Sequence, residues 1–78
     1  MVTVRYWAGA KEAAGRSEEQ VAAGTIPELV AMLTSRGRLA EVLPACSLLM
    51  DGQAVRPTDG APIPAAAVVD VLPPFAGG

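Results

Sequence analysis

A single amphipathic helix set among strands limits what this chain can fold into. Thr25-Ile26-Pro27-Glu28 combines an N-cap threonine, a proline in the first turn and a glutamate at the third helical position, the pattern of a capping box. Ile26, Leu29, Val30 and Leu33 then recur at i, i+3, i+4 and i+7, so one stripe of the helix is apolar and must be covered. Gly37 is expected to end the helix. The remaining chain offers mainly strands to cover that stripe.

Val2-Thr3-Val4-Arg5-Tyr6 alternates apolar and polar residues, which predicts a half-buried strand with Val2, Val4 and Tyr6 inward and Thr3, Arg5 and then Trp7 outward. Ala8 to Gly15 is alanine-rich and reads as a helical turn stopped by Gly15. Glu19-Gln20-Val21 is a short, weak strand whose charges suit a sheet edge. After the helix, Arg38 to Leu43 allows a further turn that Pro44 should stop. Ser47 to Met50 and Gln53 to Val55 flank Asp51-Gly52, a strong two-residue hairpin signal. Pro57 to Pro64 is turn-rich, with a second Asp-Gly at Asp59-Gly60, and Val68 to Leu72 forms the last strand. The order strand, strand, helix, strand, strand, strand predicts an α+β fold. It is a β-grasp (ubiquitin-like) roll, a mixed five-stranded sheet with one main helix across one face. The first and last strands should be central and parallel. On this reading residues 1–72 form the β-grasp domain and 73–78 a flexible tail, with disorder expected from about Phe75 or Ala76 onward.

The residue inventory removes most chemistry. The chain has 78 residues and a net charge of −2 without a basic run, so one domain is expected and nucleic acid is not an expected partner. Hydrophobic residues make up 51% and charged ones 18%, the balance of a packed globule. The N-terminus lacks the pattern of a signal peptide and no apolar run is long enough to span a bilayer, so no membrane association and a cytoplasmic location are expected. Histidine is absent and Cys46 is the one cysteine. That leaves no histidine/cysteine metal constellation, no nucleophile–histidine relay and no internal disulfide. The glycines never assemble a phosphate-cradling loop, and Lys11 is the one lysine. Asp51, Asp59 and Asp70 read as turn and solvent-face residues, and Cys46 as a structural thiol. The chain is not expected to catalyse anything alone, nor to bind a cofactor or metal.

The C-terminus is the reactive group that remains. Pro73-Pro74 halts the last strand and holds the backbone extended. Gly77-Gly78 lacks any Cβ and can thread a channel closed to other dipeptides. An ionised carboxylate is a poor electrophile and must first acquire a leaving group, as in an acyl-adenylate. No nucleotide site is legible in the chain, so ATP must be used by an activating partner. The activated Gly78 can then accept sulfur, giving a thiocarboxylate, or be passed to an amine.

Val2-Thr3-Val4-Arg5-Tyr6-Trp7-Ala8, Lys11-Glu12-Ala13-Ala14-Gly15, Thr25-Ile26-Pro27-Glu28-Leu29 and Leu72-Pro73-Pro74-Phe75-Ala76-Gly77-Gly78 together resemble the MoaD/ThiS family of ubiquitin-like sulfur carriers. The resemblance spans essentially the whole chain. Its most specific part is the Pro-Pro-x-x-Gly-Gly ending, which looks most like the molybdopterin synthase small subunits of that family. The resemblance implies that Gly78 carries the sulfur as a thiocarboxylate after adenylation and that Gly77 gives it access. It also implies three partners: an E1-like adenylating enzyme, a sulfur donor protein and the large subunit of molybdopterin synthase, where sulfur enters a pterin precursor. One departure is visible: Ile63-Pro64-Ala65-Ala66-Ala67 stands where the family often has an Asp-Gly turn.

A carrier must be recognised by its surface. Val68, Asp70 and Leu72 alternate with inward Val69 and Val71, which puts Leu72 beside Trp7 on the outer face. Trp7, Leu72 and Phe75, with Pro73, Pro74 and Ala76, are candidates for a partner-binding patch at the tail's root, rimmed by Arg5 and Asp70. The alternative is that Trp7 folds over the core edge. For function, the same tail also suits carriers for thiamine or cysteine biosynthesis, or a ubiquitin-like modifier, although one lysine disfavours chain-building on itself. A third class is an interaction domain in which Gly77-Gly78 has no chemical role.

Overall fold

The computed structural model describes residues 1–74. Five strands, β1 (Val2–Tyr6), β2 (Glu18–Val21), β3 (Ser47–Met50), β4 (Gln53–Val55) and β5 (Val68–Leu72), form one sheet in the order β2-β1-β5-β3-β4. β1 and β5 run parallel in its interior, and the other pairings are antiparallel. This is the α+β, ubiquitin-like β-grasp arrangement that the element order predicts.

The sheet has one covered face. Val2, Val4 and Tyr6 of β1, Val69 and Val71 of β5, Leu48 of β3 and Val21 of β2 point into a single cluster. Helices α1 (Ala8–Ala14), α2 (Ile26–Leu33) and α3 (Leu39–Val42) contribute their buried residues to the same cluster. In α2 the stripe works as the spacing predicts: Ile26, Leu29 and Leu33 are fully buried and Val30 packs at the margin. Its cap is also as read, with Thr25 Oγ1 accepting from the Glu28 backbone N–H at 3.3 Å and donating to Glu28 Oε1 at 3.1 Å.

Two chain reversals differ from expectation. α2 stops at Leu33, short of Gly37, because Thr34 and Ser35 turn their hydroxyls onto the Ala31 and Met32 carbonyls, a local alternative to continued helix. Gly37 has a different job, lying against α1 with a φ of 49° while the Arg38 N–H donates to the Ala13 carbonyl at 2.8 Å. Pro44 does not stop the following turn but sits inside a 3-10 helix over Leu43–Ala45, in the first-turn position where its missing N–H costs nothing.

The Asp51-Gly52 hairpin forms as predicted, both residues having positive φ. Asp51 also reaches across to β5: its N–H donates to the Val68 carbonyl at 2.8 Å, and its Oδ1 accepts from the Val68 N–H at 2.9 Å. The start of the strand that leads to the tail is thereby fixed. Cys46 is partly buried and donates to the Val42 carbonyl at 3.2 Å, and burial pushes its thiol pKa up. Both features oppose thiolate formation and agree with a structural thiol.

Candidate functional site: the tail root and its outer face

β5 delivers the tail. Its last residue, Leu72, pairs with Ser47 and is half-buried, Pro73 is half-buried and Pro74 is exposed. Phe75, Ala76, Gly77 and Gly78, which the sequence nominates as docking and reactive residues, lie outside the described residues. The site that can be built is therefore the platform from which they depart.

Trp7 stands at that platform. It ends β1 and caps α1, its N–H donating to the Val71 carbonyl at 3.2 Å and its carbonyl accepting from Ala10 N–H at 3.0 Å. The residue is 45% exposed, so it does not close over the core edge. The register Arg5↔Asp70↔Leu49 defines the outer sheet face, on which Val68, Leu49 and Leu72 are half-buried. A groove beside the indole is lined by Arg5, Lys11, Ser17 and Glu18.

Asp70 is not the solvent-face residue that strand alternation suggests. It is 8% exposed although it faces outward, because two neighbouring side chains cover it. Arg5 holds it through Nε at 2.7 Å to Oδ1 and Nη2 at 3.1 Å to Oδ2, and Trp7 Nε1 donates to Oδ1 at 2.9 Å. The Arg5 guanidinium carbon also lies 5.7 Å from the indole centroid, within cation–π range. The Arg5 hydrogen bonds hold the Asp70 carboxyl below its usual range against the opposing effect of burial, with Trp7 adding to the shift. Sequence reading places all three residues on one face but misses this closure, since β5's partner atoms come from over sixty residues away.

A second polar cluster lies on the opposite, covered face, at the edge strand β2 beside β1. Glu19 of β2 accepts from the Tyr6 hydroxyl and from Arg36 Nε, and Arg16 approaches it at 3.6 Å. Burial acts to raise the Glu19 carboxyl, but the Tyr6 hydrogen bond and the two arginines outweigh it and hold it low. The same burial and carboxylate push the Tyr6 phenol far up. Every buried side-chain polar atom among the described residues has a partner, so this cluster is a satisfied tie between β2 and the end of α2. Among the described residues no group of histidine, cysteine, aspartate or glutamate could hold a metal ion, and no helix is long and apolar enough to cross a membrane.

Comparison with known proteins bears on what such a platform serves. The ThiS family model matches residues 4–78, from the first strand through the terminal glycine. The chain belongs to the ThiS family. Among solved structures, the ThiS-family chain is similar to a chain of the complex of subunits 1 and 2 of molybdopterin-converting factor from Helicobacter pylori 26695. That match has a TM-score of 0.78 at 25% identity and covers 99% of this chain and 97% of the other. It also resembles SAMP1 from Haloferax volcanii, with a TM-score of 0.79 at 19% identity and coverage of 99% and 98%. Small archaeal modifier protein 1 from Methanosarcina acetivorans gives 0.77 at 22%, covering 99% and 95%. At those identities the two modifier proteins speak to fold alone. No curated protein sequence matches the chain significantly. As a ThiS-family protein it is in class a ubiquitin-like carrier rather than a catalyst.

Proposed function

We propose that this protein carries sulfur for molybdopterin synthesis. An E1-like partner uses ATP to adenylate the Gly78 carboxylate, and sulfur supplied by a donor protein displaces AMP to give a thiocarboxylate. The large subunit of molybdopterin synthase then receives the tail through the Trp7–Leu72 platform and passes the sulfur to a pterin precursor. Gly77 keeps the approach to Gly78 thin, and Pro73, Pro74, Phe75 and Ala76 form the stem between platform and reactive end.

The observation that carries the reading is the family match extending to Gly78. The molybdopterin assignment is supported by the similarity to a protein solved within a molybdopterin-converting factor complex, and by the Pro-Pro-x-x-Gly-Gly ending. The exposed indole at the base of the tail supplies an anchor of the type that dominates interfaces.

Intact-mass measurement tests it. The protein is incubated with the adenylating enzyme, ATP and a sulfur donor, and then with the large subunit and the pterin precursor. The expected result is a mass gain equal to replacing one oxygen by sulfur, reversed when the large subunit and precursor are added. Formation of amide conjugates alone would assign the protein to the modifiers. Reversal by a thiamine- or cysteine-pathway acceptor instead would move it to that pathway.

A further inference from the structure

The Trp7 indole is exposed and yet fully tethered. Its backbone is fixed on both sides, by β5 through Val71 and by α1 through its own carbonyl. Its one polar atom, Nε1, is spent on Asp70 Oδ1. That oxygen also accepts Arg5 Nε, so ring and guanidinium share one atom, and the guanidinium flanks the ring. We propose that Asp70 and Arg5 are positioning residues that lock the Trp7 indole as a preset apolar wedge for the partner that receives the tail.

The proposal rests on the docking reading given above and deepens it. An outward-facing carboxylate in the middle of β5 is poorly suited to a purely structural purpose. Paired β-branched residues at the Arg5–Asp70 register would serve the sheet at least as well, because an ion pair whose arginine is half-exposed returns little net stability. What the pair does that an apolar pair cannot is hold a ring. An exposed tryptophan otherwise samples rotamers on the picosecond-to-nanosecond scale and must be immobilised on binding. Here that ordering is complete before the partner arrives. The chemistry also defines the receiving surface. With the indole N–H already satisfied, the partner must offer an apolar slot with no acceptor aimed at the ring nitrogen. Arg5 Nη1 makes no hydrogen bond within the described residues, so a carbonyl or carboxylate at the slot's rim would find a donor there.

Trp7 is the one tryptophan, so its fluorescence reports the device directly. Time-resolved anisotropy of the wild type should decay with tumbling of the whole molecule alone. Asp70→Val keeps strand propensity but removes the acceptor, and should add a sub-nanosecond component. Asp70→Asn retains an acceptor oxygen and should restore the slow decay. Affinity is measured with the large subunit of molybdopterin synthase from the same organism. Asp70→Val should weaken binding about threefold to tenfold, with Asp70→Asn recovering most of the loss. In a Trp7→Phe background, Asp70→Val should cost less than about twofold, since no indole remains to be positioned. Unchanged anisotropy in Asp70→Val overturns the proposal, as does an equal affinity loss in both backgrounds. If the wild type does not bind the large subunit, the docking reading fails and takes the wedge with it, whereas binding that is indifferent to Asp70 removes the positioning role and leaves that reading standing.

Discussion

At Gly37 a single hydrogen atom is all the fold permits. A Cβ built there would sit 2.2 Å from the Ala13 carbonyl oxygen, and the residue's φ of 49° lies in the left-handed region. The obstacle is backbone, itself engaged by the Arg38 N–H, so it cannot swing aside. Gly37→Ala is therefore expected to destabilise the protein by about 2–4 kcal/mol, the combined cost of left-handed backbone and overpacking, as read by urea denaturation. Ala66 presents the opposite case. It adopts a φ of 63° in the turn closed by the Ala67 N–H on the Pro64 carbonyl at 3.2 Å, a left-handed backbone that favours glycine. Ala66→Gly is expected to raise stability by up to about 1 kcal/mol in the same assay, since relief of strain exceeds the entropy lost with alanine. The strained turn still delivers the chain to the sheet beside β1: Thr3 N–H reaches the Ala67 carbonyl at 3.0 Å, one residue before β5 begins.

At the scale of elements, what the sequence displays is what local periodicity encodes. β1, the α2 stripe, the Thr25 cap and the Asp51-Gly52 hairpin each declare themselves within a few residues, and each is found where it was read. The end of α2 was not legible, because Thr34 and Ser35 compete with the helix through side-chain hydroxyls that carry no periodic signal. β2 was legible as a charged edge strand, but not that Glu19 turns to the covered face. Its partners Tyr6 and Arg36 lie 13 and 17 residues away, beyond any pattern in a window. Asp70 escaped for the same reason. Both carboxylates are held below their usual range, which fixes a pH dependence. The stability they contribute is complete above the unfolded carboxylate value of about 4 and is lost as pH falls through their lower folded values. The acid limb of a thermal-melt series should therefore steepen below about pH 4. Glu19→Gln should lower the melting temperature at neutral pH and flatten that limb; an unaltered limb would show that Glu19 is not ionised against its arginines in the folded protein.

For the whole molecule, β5 runs from the covered cluster to the root of the proposed reactive end. Among the described residues, the last member of the core is Val71, and Leu72 closes the final strand pairing. Removing the terminal glycine therefore subtracts no core contact made by the described residues, and the Gly78 deletion should melt within about 1 °C of the wild type, the scale of a few tenths of a kcal/mol in a domain this small. Its function should respond in the opposite way. A carboxylate presented one residue short, on Gly77, still has the chemistry for adenylation but not the reach, so the oxygen-to-sulfur mass gain should disappear while partner binding through Trp7 and Leu72 persists in part. This combination distinguishes a carrier from an interaction domain of the same fold, in which the deletion would change neither quantity. It also distinguishes a failed tail from a failed platform. Trp7→Ala should leave the terminus chemically competent and weaken docking to the large subunit by roughly tenfold or more, as loss of an aromatic anchor does. If the deletion keeps full sulfur loading, Gly78 is not the carrier atom's host. If Trp7→Ala keeps full affinity, docking is borne by the stem alone and the outer sheet face has another role.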